Sequence, residues 1–269
     1  MKKQWKKAVS IGCAACMLAS TMPVTGFNLV AEAQGIETQS DEAATSGTWG
    51  TCEWNLDEDG VLTISGGVAE SLSNGAPWGN KNSFCQQIKE IKITGDVSFK
   101  ENDISLKGLF KGLVNIEKIE GLNKLDTSHV TNMSQMFAEC KLPQIDVSNF
   151  DTSQVTDMSG MFQYCKNLEE IDVSNFNTSQ VIDMNYMFSF CDALTKLDVS
   201  NFETSQVTDM TGMFAGCKLA RIDLSNFNTS QVTDMGDMFY ECSNLTELDL
   251  GNFDTSQVMS MSGMFKECN

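Results

Sequence analysis

The side chains that could do chemistry in this chain fall into columns. Six of its ten cysteines, Cys140, Cys165, Cys191, Cys217, Cys242 and Cys268, are separated by 25, 26, 26, 25 and 26 residues. Two aspartate series keep the same step: Asp146, Asp172, Asp198, Asp223 and Asp249, and Asp157, Asp183, Asp209 and Asp234. Thiols in even number invite a disulfide framework. Side chains of one column point the same way rather than at each other, so the six are expected as buried, unpaired thiols. Cys52 and Cys85 lie outside the column and form the one plausible bridge.

The first aspartate series, above all Asp172, Asp198 and Asp223, supplies the candidates for calcium or a basic ligand. Carboxylates about 5 Å apart repel by roughly 1 kcal/mol in water, and a cation would relieve this. The competing expectation is that each aspartate bonds to the serine two residues on, at Ser148, Ser174, Ser200 and Ser225. The second series precedes a segment with free N–H groups and is expected to cap it. Asn55, Asp57, Asp59 and Gly60 match the start of a calcium loop, but Gly66 stands where that loop needs a bidentate glutamate, so the stretch reads as a hairpin. The single histidine, His129, has no nucleophile or acid beside it. No catalytic residue and no cofactor are expected, and the chain is not read as an enzyme.

What positions these columns is a repeat. Met-Phe pairs recur at Met136-Phe137, Met161-Phe162, Met187-Phe188, Met213-Phe214, Met238-Phe239 and Met264-Phe265. A period of 25–26 residues with apolar side chains at fixed phase predicts stacked coils that bury one another's apolar faces. About nine side chains per coil should point inward. Within one coil, Ile171 and Val173 alternate with polar residues as in a half-buried strand. The spacing of Met187, Phe188 and Cys191 fits one or two turns of helix. Asn149, Asn175, Asn201, Asn226 and Asn252 form a further column suited to bonding the backbone of neighbouring coils. The Thr152, Thr178, Thr204, Thr229 and Thr255 column is expected to tie loop backbone. The thirteen methionines from Met133 onward are expected as core.

The coil NLEEIDVSNFNTSQVIDMNYMFSFC, and its repetition over 119–269, resembles the BspA-like leucine-rich repeats of bacterial surface proteins. The resemblance implies an α/β leucine-rich-repeat solenoid with short parallel strands and short helical turns in each 25–26-residue repeat. It also implies a surface role in protein interaction or adhesion, and carries over no catalytic residue. A preceding region with a Leu-Asp-x-Asp-Gly hairpin and Ala76-Pro77-Trp78 resembles the segment found ahead of such arrays.

Residues 1–33 read as a signal peptide: Lys2, Lys3, Lys6 and Lys7, an apolar run, then Ala31-Glu32-Ala33. Residues 34–48 read as a flexible linker, 49–100 as a small β-rich N-terminal cap, and 101–269 as the repeat array, expected to continue beyond 269. The expected address is secreted or cell-surface, without membrane insertion after cleavage. The formal charge of the whole chain is −18. Cleavage leaves 14 basic and 35 acidic side chains, a net of −21. Such a balance excludes nucleic acid and anionic lipid as natural partners.

Identical columns build scaffold, so recognition is sought where coils differ. Tyr164, Tyr186, Phe190 and Tyr240 on the helical side, and Lys196 and Arg221 on the strand side, are the candidate partner-binding residues. A protein ligand, such as host matrix or another cell surface, is the first reading. A calcium- or carbohydrate-binding wall component, using the aspartates and the sugar-stacking faces of Trp49, Trp54 and Trp78, is the second.

Overall fold

The computed structural model describes residues 45–73, 75–79 and 84–268. The expected signal peptide and residues 34–44 of the expected linker lie outside the described residues. Residues 46–48, expected as linker, are strand: β1 (Ser46–Trp49) pairs antiparallel with β2 (Cys52–Leu56). Gly47 is what permits this, since a side chain there would run into the Trp54 ring.

The hairpin from β2 to β3 (Val61–Ile64) forms as expected, and its acidic turn ties itself together. Asp57 Oδ1 accepts from the N–H of Asp59 at 3.1 Å and of Val61 at 2.8 Å. β4 (Gly67–Ala69) pairs with β6 (Val97–Phe99), while β5 (Glu90–Ile93) runs parallel to both β3 and β8 (Lys118–Glu120). The sheet order β1-β2-β3-β5-β8 therefore carries the N-terminal region into the first coil with no break near residue 100. A 3₁₀ turn (Leu122–Lys124) follows, and β7 (Ile104–Ser105) pairs with β9 (Val130–Asn132). Trp49, Trp54 and Trp78 are buried and meet each other or Phe84 and Phe99 edge-on, with centroids 5.8–6.3 Å apart. They are the core of this region and offer no stacking face to a sugar.

Beyond residue 132 the expected strands contract to single parallel bridges, such as Gln144 with Glu170 and Arg221 with Glu247. The expected helical turns are absent among the described residues of this part of the array. The Met-Phe segment is a ribbon of consecutive tight turns, and its hydrogen bonding explains why. The N–H groups of Met161, Gln163 and Cys165 close turns onto Met158, Gly160 and Phe162. Those of Met158, Gly160, Phe162 and Tyr164 reach instead to Asp183, Asn185, Met187 and Ser189 of the next coil, at 2.7–3.0 Å. An α-helix would spend every N–H within itself; here every second one is spent on stacking.

The side-chain columns complete the stack. Asn175 Nδ2 donates to the carbonyls of Val147 and Phe150, both at 3.0 Å, and Asn201, Asn226 and Asn252 repeat this. The buried Thr152 hydroxyl accepts from Asn177 N–H and donates to the Asn177 carbonyl. Phe110, Phe137, Phe162, Phe188, Phe214, Phe239 and Phe265 stack in line, with centroids 5.4–6.2 Å apart. The six thiols of the column are unpaired, as are Cys52 and Cys85. Among the methionines, Met259 and Met261 are not buried: Met259 stands in the outward Thr156, Ile182, Thr208, Thr233 series and is 84% exposed, and Met261 is 49% exposed.

Replacing Asn201 with alanine removes both donors and leaves the Phe176 carbonyl without its partner from the next coil. Urea unfolding of that variant is expected to show a loss of about 2 kcal/mol. Asn201→Asp, which turns a donor into an acceptor, is expected to cost more.

Candidate partner-binding surface

The turn ribbon sets the geometry of one face. Each coil holds two residues with positive φ, four apart: Gln135 and Glu139, Gly160 and Tyr164, Tyr186 and Phe190, Gly212 and Gly216, Asp237 and Glu241, Gly263 and Glu267. The reason is the alternation of donors, because a chain that turns repeatedly while sending alternate N–H groups sideways must visit the left-handed region. Glycine does this without cost. Tyr164 (φ 58°), Tyr186 (φ 54°) and Phe190 (φ 55°) do it against the steric preference of a bulky residue.

These three aromatics form a ridge. The Tyr164 and Phe190 rings stack at 5.1 Å, 11° from parallel. Phe190 lies across Gly216 of the next coil, where a Cβ would come within 2.5 Å of the ring, and Tyr186 lies across Gly212 in the same manner. Tyr164 is 40% exposed and borders a hollow of about 430 Å³ with Val114, Glu139, Lys141 and Lys166. Burial raises the Tyr186 hydroxyl's pKa, with Asp237 and Asp209 adding to the effect. Tyr240 is not brought into the ridge. It occupies the Ser189 and Ala215 column, one position earlier in its coil, with Lys266 Nζ 5.5 Å from its ring. A hydrogen bond to Glu241 pushes its hydroxyl up to about 12. The seats Gly212 and Gly216 are functional positions beyond the candidate set, and their signal in the sequence is that each stands one period after an aromatic.

On the opposite side, Lys196 and Arg221 are exposed and share a groove of about 730 Å³ with Asp198, Asp223, Glu247 and Asp249. Neither cation has an ion pair among the described residues. The calcium candidates are engaged with their own loops. Oδ1 of Asp172, Asp198 and Asp223 accepts from the N–H of Ser174, Ser200 and Ser225 at 2.9 Å. The serine bonds hold these carboxylates below their ordinary pKa. Among the described residues no three His, Cys, Asp or Glu side chains are arranged to hold a metal ion.

The inner series behaves differently. Asp157, Asp183, Asp209 and Asp234 lie on successive parallel bridges, each Oδ1 accepting the N–H two residues on. They cap tight turns rather than the helix expected of them. Burial, then the charges of Asp157 and Asp209, raise the Asp183 carboxyl. No helix among the described residues is long and apolar enough to cross a membrane.

Residues 104–197 and 187–269 match the family described as "Mycoplasma protein of unknown function, DUF285". The chain belongs to that family. No curated protein matches it. Among solved structures it is similar to a leucine-rich repeat protein from Bacteroides ovatus, at 13% identity over 81% of this chain and 79% of that one, with a TM-score of 0.35. A leucine rich cell surface protein from Faecalibacterium prausnitzii matches at 16% identity over 81% of this chain, with a TM-score of 0.34. The match spans 56% of that protein. A leucine-rich repeat protein from Eubacterium ventriosum matches at 16% identity over 83% and 95% of the two chains, with a TM-score of 0.28. These scores are too low to carry a shared fold or role to this member of the family.

Gly216→Ala is expected to cost about 1–3 kcal/mol, through contact with Phe190 and a positive φ of 70°. In a Phe190→Ala background only the backbone part should remain, about 1 kcal/mol, as read by urea unfolding. Asp183→Asn keeps the acceptor for Asn185 N–H and removes the charge. A carboxyl whose folded pKa is raised contributes a penalty absent below its unfolded pKa and complete above its folded one. Asp183→Asn is therefore expected to raise the melting temperature at pH 7 and leave it unchanged near pH 3.

Proposed function

We propose that this chain is a secreted or cell-surface repeat protein of the BspA-like leucine-rich-repeat kind. In this reading it binds a protein partner, such as a host matrix protein or another cell surface, and has no catalytic activity. The observation that carries the reading is the ridge of Tyr164, Tyr186 and Phe190. Glycine would satisfy the backbone at all three positions, as it does at Gly160, Gly212 and Gly216, so the fold itself has no need of aromatic rings there. Rings seated on glycine and on each other lose little freedom when a partner covers them, which is what makes aromatic side chains effective anchors. The calcium and carbohydrate reading loses its two supports, since the tryptophans are core and the outer carboxylates are held by serines.

The double variant Tyr164→Gly and Phe190→Gly removes the rings and installs the residue other coils already use. Capture of proteins from extracellular matrix and from neighbouring cells by the immobilised chain is expected to fall at least about tenfold, with the melting temperature retained. Undiminished capture would refute the ridge as the anchor. Saturable heat on titrating calcium, lost in Asp172→Asn, Asp198→Asn and Asp223→Asn together, would move the conclusion to the second reading.

A further inference from the structure

We propose that the groove over Lys196 and Arg221 receives an extended protein segment bearing an acidic and a basic side chain two residues apart. The inference shares with the preceding reading only that the partner is a protein; it stands on a different face and on different residues.

The charges there form a lattice. Along one coil, exposure alternates: Lys196 exposed, Leu197 half-buried, Asp198 exposed, Val199 buried. The next coil repeats this with Arg221, Ile222, Asp223 and Leu224, its second residue buried. Two residues of extended chain advance about 6.6 Å, and parallel neighbours lie about 4.8 Å apart. A row of two cations thus runs beside a row of two carboxylates, roughly 7 Å away across the groove. Glu170 and Glu247 occupy the cation column one coil before and one coil after: Glu170 accepts from Gln144, and Glu247 stands beside Arg221 on a parallel bridge without forming an ion pair with it among the described residues. Lys196 and Arg221 are thus two like charges on successive coils, neither in an ion pair among the described residues, in a chain whose overall charge is −18. In Asp198 and Asp223 the loop amide holds Oδ1 and the serine side chain two residues on adds to that hold, while both carboxylates stay exposed.

A wholly acidic ligand meets Asp198, Asp223 and Asp249; a wholly basic one meets the two cations. Only a ligand with both signs at the spacing of an extended i, i+2 pair meets an opposite charge in each row, because such side chains project from the same side of a strand. A second copy of this chain fits less well. The two-fold arrangement that sets Lys196 against Asp198 and Arg221 against Asp223 also sets Glu170 against Asp172 and Glu247 against Asp249.

The test uses the full chain and a fluorescein-labelled heptapeptide, Thr-Val-Glu-Thr-Lys-Val-Thr, followed by anisotropy at low ionic strength. Three controls carry two glutamates, two lysines, or glutamate and lysine adjacent, at the same length. The glutamate-x-lysine peptide is expected to bind at least about tenfold tighter than each control. Lys196→Ala with Arg221→Ala, and separately Asp198→Asn with Asp223→Asn, should each abolish that preference while the melting temperature stays unchanged, since all four residues are exposed. The Tyr164→Gly and Phe190→Gly variant should bind the peptide as the parent does, so failure of the ridge reading and failure of this one are separable. Equal binding of the dilysine peptide, an affinity unmoved by Lys196→Ala with Arg221→Ala, or no binding at millimolar peptide would overturn the proposal. Sedimentation showing self-association abolished by those same substitutions would overturn it in favour of a second copy.

Discussion

The peptide hydrogen bond from one coil to the next is the constraint from which the rest of this structure follows. No coil can close its own backbone: Phe162 N–H needs the Met187 carbonyl, Phe188 needs Met213, and Phe214 needs Met238. Unpaired, each of these buried groups would cost on the order of 1–3 kcal/mol. Paired, they set the rise between coils at the spacing of parallel strands, and that spacing decides which side chains can stand in a column. Flat rings stack there, as the phenylalanines do. Amides and hydroxyls reach one coil along, as asparagine and threonine do. The polar columns and the apolar columns are two consequences of one register.

The thiol column shows how far this reaches. Cys165 Sγ donates to the Phe137 carbonyl at 3.0 Å, and Cys191, Cys217 and Cys242 do the same to Phe162, Phe188 and Phe214 at 3.1–3.2 Å. The acceptors are carbonyls that neither the turn nor the neighbouring coil's amides fully use. Burial pushes Cys165 and Cys242 up to about 12. Thiolate is the species that attacks disulfides and oxidants, so at neutral pH these sulfurs are close to inert. A column of cysteines is thereby compatible with an oxidising surrounding, for which free thiols would otherwise be a poor choice.

Much of this was legible in the period alone. Fixed-phase Phe, Met, Cys and Val announced an inward face, and the Asn column announced its bonds to neighbouring coils; the Thr column, expected to tie its own loop, bonds the next coil instead. The turn ribbon was not legible, because a spacing of i, i+1, i+4 is shared by a helix and by a run of turns whose left-handed positions recur every four residues. What separates them is φ at two positions, and Tyr186 and Phe190 conceal it. Had glycine stood there, as in Gly212 and Gly216, the positions would have looked like turn residues. Strand alternation around Ile171 and Val173 was genuine as a pattern of burial, with Ile171 half-buried and Val173 buried. It did not become a ladder because only one residue of that stretch, Glu170, pairs across. The tryptophans were ambiguous for another reason: burial of a ring depends on contacts such as Trp49 with Phe99, fifty residues apart, which no local pattern encodes.

The aromatic ridge therefore has to be weighed against its own cost. A non-glycine residue in the left-handed region costs roughly 1–2 kcal/mol, and three are placed side by side. Part of this is recovered locally, because Phe190 packs on Gly216 and on Tyr164, and buried apolar area returns about 25 cal/mol per Å². That recovery depends on the next coil presenting glycine. Ridge and seat are consequently one unit spread over adjacent repeats, and a Tyr or Phe moved to a coil followed by Glu139 or Asp237 would meet a side chain instead of bare backbone. On this face the rings of Tyr186 and Phe190 are accommodated in such matched pairs, which places the aromatic surface where two unlike coils meet rather than within any single one.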